Sequence, residues 1–133
     1  MPIGNVLADT SALIEYFLGN PSFVFMKEFL REKTLLVNDI VRTEFLPHAI
    51  KAEEYMFAAE VNSIRRTAMN TDWEEILKCR IAMFKDGYRK IGIQDLLIAQ
   101  NCVQNDVPLI THDGHFETIA KFLPLKLYGC SFA

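Results

Sequence analysis

Short apolar runs that alternate with helix-length amphipathic stretches leave this chain few ways to fold. The runs are residues 3–8 (broken by Gly4 and Asn5), TLLVN at 34–38, VPLIT at 107–111, and 125–129, where Lys126 and Tyr128 alternate with apolar residues. Each is too short for a helix and reads as a strand. Between the first two, Leu13, Ile14, Phe17 and Leu18 share a helical face that Gly19 ends. Asn20 and Pro21 then read as the N-cap and first position of a second helix carrying Phe25, Met26, Phe29 and Leu30. Residues 39–90 contain no convincing strand. They predict a helix over 40–45 that Pro47 kinks or restarts, then a stripe of Phe57, Ala58, Val61, Ile64 and Ala68. A Thr71/Glu74 capping box opens the next helix, with Trp73, Leu77, Ile81, Phe84 and Tyr88 on one face and Gly87 and Gly92 bracketing its end. Residues 94–105 and 114–122 read as further helices. Strands separated by helices predict an α/β fold with a mostly parallel sheet covered on both faces.

A length of 133 residues, 50% hydrophobic and 23% charged, fits one domain over 1–133 with a real core and excludes a disordered chain. No apolar stretch approaches the roughly 20 residues of a membrane span, and the start MPIGN lacks the basic and apolar regions of a signal peptide. Cys79, Cys102 and Cys130 are widely spaced and form no CxxC motif, so they read as reduced thiols in a cytoplasmic protein. The net charge of −3 argues against a binder that holds nucleic acid by bulk positive charge. It leaves room for a carboxylate site whose cations reverse the local field.

Four carboxylates stand out by position. Asp9 ends the first strand and Asp113 lies two residues beyond VPLIT. Both therefore face the carboxyl edge of a parallel sheet, where open α/β proteins bind ligands. Asp95 sits in the first turn of the helix over 94–105, and Glu44 in the helix after TLLVN. Two unit charges about 4 Å apart repel by roughly 4 kcal/mol at an effective dielectric near 20. A cluster of this kind therefore needs protons or cations. Oxygen ligands suit Mg²⁺ or Mn²⁺, and such ions can activate water against a phosphodiester. Each residue also has a purely structural role open to it. Asp9 could cap the first helix with help from Thr10 or Ser11, Asp95 could complement a helix dipole, Glu44 could face solvent, and Asp113 could cap the last helix.

The segments VLADTSAL at 6–13, VRTEF at 41–45, GIQDLLIA at 92–99 and PLITHDGHF at 108–116 resemble the PIN-domain ribonucleases, and most closely the VapC-like toxins of toxin–antitoxin pairs. The resemblance implies a three-layer α/β/α sandwich around a mostly parallel sheet of about five strands. It implies that Asp9, Glu44, Asp95 and Asp113 bind one or two Mg²⁺ or Mn²⁺ ions and activate water to cut RNA. Thr10 or Ser11 would support Asp9, and Thr111 would support Asp113. It further implies a homodimer and a small VapB-like antitoxin. Relatives often carry another Asp where this chain has His115, so His115 is a candidate ligand, phosphate contact or space filler. Arg42, a half-turn from Glu44, is the candidate substrate contact; His48 and His112 have no evident partner.

Three other classes compete with this reading. A catalytically decayed module would bind RNA or a protein without chemistry. A phosphatase of the haloacid-dehalogenase type wants a second Asp two residues after the first, and here that residue is Ser11. A phospho-accepting receiver domain is disfavoured because no mid-chain strand ends in an acceptor Asp.

Overall fold

The computed structural model describes residues 4–129. Strands β1 (Val6–Ala8), β2 (Leu35–Val37), β3 (Arg65–Arg66) and β4 (Leu109–Ile110) form one sheet in the order β3-β2-β1-β4. Every pair is parallel, with Val6 opposite Leu35, Leu7 opposite Leu109 and Leu36 opposite Arg65. The three apolar strands are buried along their whole length, as expected where helices cover both faces.

The helices are α1 (Thr10–Phe17), α2 (Met26–Arg31), α3 (Asp39–Lys51), α4 (Tyr55–Ser63), α5 (Trp73–Lys85), α6 (Ile93–Gln104) and α7 (His115–Ile119). The steps β1 to β2 to β3 run the same way across the sheet, and the return to β4 runs back. Right-handed crossovers therefore put α1–α4 on one face and α5 and α6 on the other. The helix contacts agree: α1 packs on α3, α3 on α4, and α5 on α6. Leu7, Leu13, Val37, Leu96, Leu109 and Phe116 meet in the resulting core. Gly19, at φ +82°, ends α1 in the left-handed region as its position foretells. Among the described residues, no helix is long and apolar enough to cross a membrane.

Several expectations need correction. Residues 39–90 do hold a strand, β3, but it is two exposed arginines at the sheet edge and has no apolar signature. Its insertion ends α4 at Ser63, so Ala68 lies beyond that helix. Among the described residues the sheet has four strands, close to the expected number, and the run at 125–129 contributes only an isolated parallel bridge between Leu109 and Leu127. The reason is that β4 offers only two residues to pair with. Of the two outcomes expected at Pro47, a restart does not occur: α3 runs through it as one helix packed on α1 and α4. The cap of α5 is Asp72, accepting from Glu75 N at 3.2 Å, one residue later than the expected box. Trp73, Leu77, Ile81 and Phe84 share one face of α5 as expected, and it is the exposed one, Ile76, Cys79 and Met83 being buried; Tyr88 lies beyond the helix. Ile3 and Cys130 lie outside the described residues; Cys79 and Cys102 are buried free thiols.

Candidate active site

Every strand is followed at its carboxyl edge by a buried polar residue: Asp9 after β1, Asn38 after β2, Thr67 after β3 and Thr111 after β4. Strands β1 and β4 flank the point where the strand order reverses, which is where this architecture opens a crevice. Asp9 and Thr111 meet there.

Asp9 is only 4% exposed. Its Oδ1 accepts from Ser11 Oγ at 2.7 Å and from Ala12 N at 2.9 Å, so it caps α1. Its Oδ2 accepts from the Thr111 hydroxyl. A hydroxyl has one proton and two lone pairs. With both protons directed at Asp9, the Ser11 oxygen accepts from His112 N at 2.9 Å and the Thr111 oxygen from Asp113 N at 3.0 Å. These bonds lock the loop after β4 onto the end of β1. The capping role and the site role of Asp9 thus coexist. Burial pushes its carboxyl up to about 6, opposed by the bonds from Thr111, Ala12 and Ser11 and reinforced by the charge of Asp113.

The other carboxylates couple to it through charge. Burial raises the proton affinity of Asp95, and the Asp113 charge adds to this, while His115 opposes it. Burial also raises that of Glu44, with the Asp95 charge adding and the Thr10 hydroxyl opposing from 3.4 Å. A line of mutually repelling carboxylates, Glu44 to Asp95 to Asp113 to Asp9, therefore runs across the crevice. Each of the four acidic residues feels the charge of at least one other, Glu44 only that of Asp95 and Asp9 only that of Asp113, and Thr10, Ser11 and Thr111 each bond to one of them.

His115 joins the same cluster. Its Nδ1 lies 3.4 Å from Asp95 Oδ2 and 3.7 Å from Asp113 Oδ1, and its backbone N–H donates to Asp113 Oδ1 at 2.9 Å. Asp95, Asp113 and His115 each turn one ligand atom to within 4.8 Å of the others. A hard cation with octahedral ligands about 2.1 Å away spaces neighbouring ligand atoms by about 3 Å and opposite ones by about 4.2 Å. The two His115 distances fall within that span, so the donor set fits a small divalent ion.

Arg42 does not join them. Its guanidinium bonds Asn62 Oδ1 at 2.6 Å and lies 3.8 Å from Asp39. Two residues along a helix are about 200° of rotation, so a half-turn from Glu44 is the opposite side of α3. His112 does have partners, namely Glu15 at 3.5 Å and the edge of Phe23. His48 lines an apolar groove of about 160 Å³ with Ile14, Phe17, Phe45 and Phe57.

Sequence reasoning missed Asn38 and Asn101. Asn38 caps α3 by accepting from Val41 N, and its amide donates to Asn101 Oδ1 at 3.1 Å. Asn101 also accepts from the Thr67 hydroxyl and donates to Ala68 O at 2.8 Å. It therefore ties α6, which carries Asp95, to the helix that carries Glu44 and to the loop after β3. The available signal was a pair of polar residues, Gln100 and Asn101, interrupting an apolar helix.

An open parallel sheet with carboxylates near its switch point defines the class as an α/β protein with an acidic cluster at its strand ends. The sequence matches the PIN domain family over residues 6–122, and the chain belongs to that family. Among curated proteins, none matches the sequence. The fold superposes on a chain in the crystal structure of VapBC2 from Rickettsia felis bound to a DNA fragment from their promoter. The TM-score is 0.70 at 18% identity, over 92% of this chain and 96% of that one. At that identity the likeness establishes the fold.

Proposed function

We propose that the chain is a metal-dependent endoribonuclease and the VapC-like toxin of a toxin–antitoxin pair. The observation that carries this reading is the coupled set Asp9, Glu44, Asp95 and Asp113 at the switch point of a PIN fold. Burial, with the charge of a neighbouring carboxylate adding to it, raises the proton affinity of three of them, which is the electrostatic state that a cation relieves. Asp9, Asp95 and Asp113, with Glu44 behind Asp95, would hold Mg²⁺ or Mn²⁺. His115 would add an imidazole nitrogen, a donor that Mn²⁺ accepts more readily than Mg²⁺. When bound, the ion supplies Lewis-acid polarisation of the phosphodiester and a lowered water pKa. The chain's own part is orientation. Ser11, Ala12 and Thr111 hold Asp9 with three donors, which fixes the carboxylate and leaves one acceptor site, on Oδ2, for the crevice. Thr111 also fixes Asp113 through its backbone N–H.

The test is cleavage of total cellular RNA by protein freed of any bound partner, with Mn²⁺ or Mg²⁺, beside EDTA and Asp95→Asn. Discrete fragments that need the ion and vanish in the variant are expected. Intact RNA with folded wild-type protein would transfer the reading to a decayed, binding-only module.

The proposed partners are a small VapB-like antitoxin and a second copy of this chain. The first rests on the fold likeness to a VapBC2 chain. The second rests on α5, where Trp73 and Leu77 are 60% and 53% exposed beside outward-facing Ile81 and Phe84. The helix begins acidic, with Glu74 and Glu75, carries Lys78 and Arg80 at its middle, and ends basic at Lys85. Antiparallel packing about a twofold axis covers the stripe and sets the acidic first turn of one α5 against the basic last turn of the other. Leu77→Glu is expected to convert the dimer to monomer in light scattering with the circular dichroism unchanged. A Leu77→Glu protein that keeps the dimer mass would place the interface elsewhere.

A further inference from the structure

We propose that the cleft beside His115, walled by Arg89 and Lys90, binds a backbone phosphate of the RNA next to the one being cut. The inference rests on the nuclease reading above and names a substrate subsite for it.

A cleft of about 380 Å³ is lined by Tyr88, Arg89, Lys90, Ile91, His115 and Thr118. That is room for a nucleotide-sized ligand. His115 belongs to both places, since its imidazole also faces Asp95 and Asp113. A strand lying across the carboxylates can therefore continue into this cleft without leaving the surface.

The charges in it are free to act. The other arginines are engaged: Arg31 with Glu28, Arg42 with Asn62, Arg65 with Asn5, Arg66 with Asp39, and Arg80 with Ile91 O and the Phe84 ring. Among the described residues, Arg89 alone of the arginines has no hydrogen bond, ion pair or ring contact. Lys90 follows it, also exposed and without an ion pair. An arginine fork matches two phosphate oxygens at once, and a neighbouring ammonium adds a second charge.

The cleft suits phosphate more than base. Tyr88 is its aromatic side chain, and the ring is already occupied: Lys121 Nζ lies 5.8 Å from its centroid and Phe122 meets it edge-on at 6.0 Å. Lys121 thereby adds a third cation at the margin. The chain as a whole is acidic and the neighbouring crevice holds four carboxylates. A polyanion approaching them needs a local cationic wall, and Arg89, Lys90 and Lys121 supply it on the His115 side.

Binding of a fluorescein-labelled single-stranded oligoribonucleotide tests this, read by anisotropy in Ca²⁺ over a salt series. The variants are Arg89→Ala/Lys90→Ala and, as an equal-charge control remote from the cleft in sequence, Lys27→Ala/Lys33→Ala. The cleft variant is expected to bind at least tenfold more weakly. Its log–log salt slope should be shallower by about 1.4, because each phosphate contact on a single strand contributes about 0.7. The control should change less than twofold. Equal losses in both variants, an unchanged slope, or no binding by wild type would overturn the subsite. Cleavage that proceeds with unaltered kcat/KM in the cleft variant would overturn the subsite and leave the nuclease reading standing. Loss of binding without any cleavage by wild type would do the reverse.

Discussion

Asp9→Asn is expected to abolish metal-dependent cleavage, by roughly 10³-fold or more, as for residues on which a chemical step depends. The same change should make the metal-free protein more stable at pH 8. The second effect follows from burial. The folded carboxyl sits at about 6 against a reference of 3.8, so between those values the folded state holds more protons than the unfolded one. Stability of wild type therefore falls as pH rises from about 4 to about 6 and stays lower above that. A shift of about 2 units corresponds to about 3 kcal/mol of penalty for keeping Asp9 ionised. Asn has nearly the same shape, can still accept from Ala12 N, and carries no charge to desolvate. Urea unfolding in EDTA should show the variant more stable at pH 8 by about 1–3 kcal/mol and near equality at pH 4. Adding Mn²⁺ should reverse the order at pH 8, because only wild type gains the binding term. Equal stabilities at both pH values would mean that Asp9 is not a desolvated acid waiting for a cation.

Asn101→Ala should cost about 3–5 kcal/mol and lower the melting temperature by about 10 °C or more. The loss has little to do with volume. Asn101 accepts from Asn38 and Thr67 and donates to the Ala68 carbonyl. Truncation leaves the buried Asn38 amide and Thr67 hydroxyl without that partner, at about 1–3 kcal/mol each, with Thr67 recovering part of its share through the Val37 carbonyl at 3.5 Å, and frees the Ala68 carbonyl, which water can reach. Cleavage should fall with stability, since the same side chain holds the Asp95 helix to the cap of the Glu44 helix. Calorimetry beside a cleavage assay at 15 °C, where the variant is folded, checks both parts. A destabilisation under 1 kcal/mol would show that the network is not a structural tie.

The strand runs, the helix stops and the place of Asp9 were legible because each follows from neighbours in the chain. An apolar run too short for a helix can be satisfied in few ways, and a polar residue at its end must lie at a sheet edge. Gly19 obeys the same local logic. What failed was whatever local pattern leaves degenerate. Two arginines carry no strand signal, and β3 exists because β2 offers its edge to them. Helix α5 has two apolar stripes, and periodicity alone does not say which one meets α6. Arg42 lies near Glu44 in sequence and on the far side of the same helix.

The sequence by itself determined the alternation of strands and helices and the residue types that a cation site requires. The tertiary structure decided which of those residues meet. Thr111 reaches Asp9 across 102 positions and Asn38 reaches Asn101 across 63. No repeat of two or 3.6 residues encodes such pairs; they follow from the sheet order that sets β1 beside β4, and that order is fixed by packing helices on both of its faces.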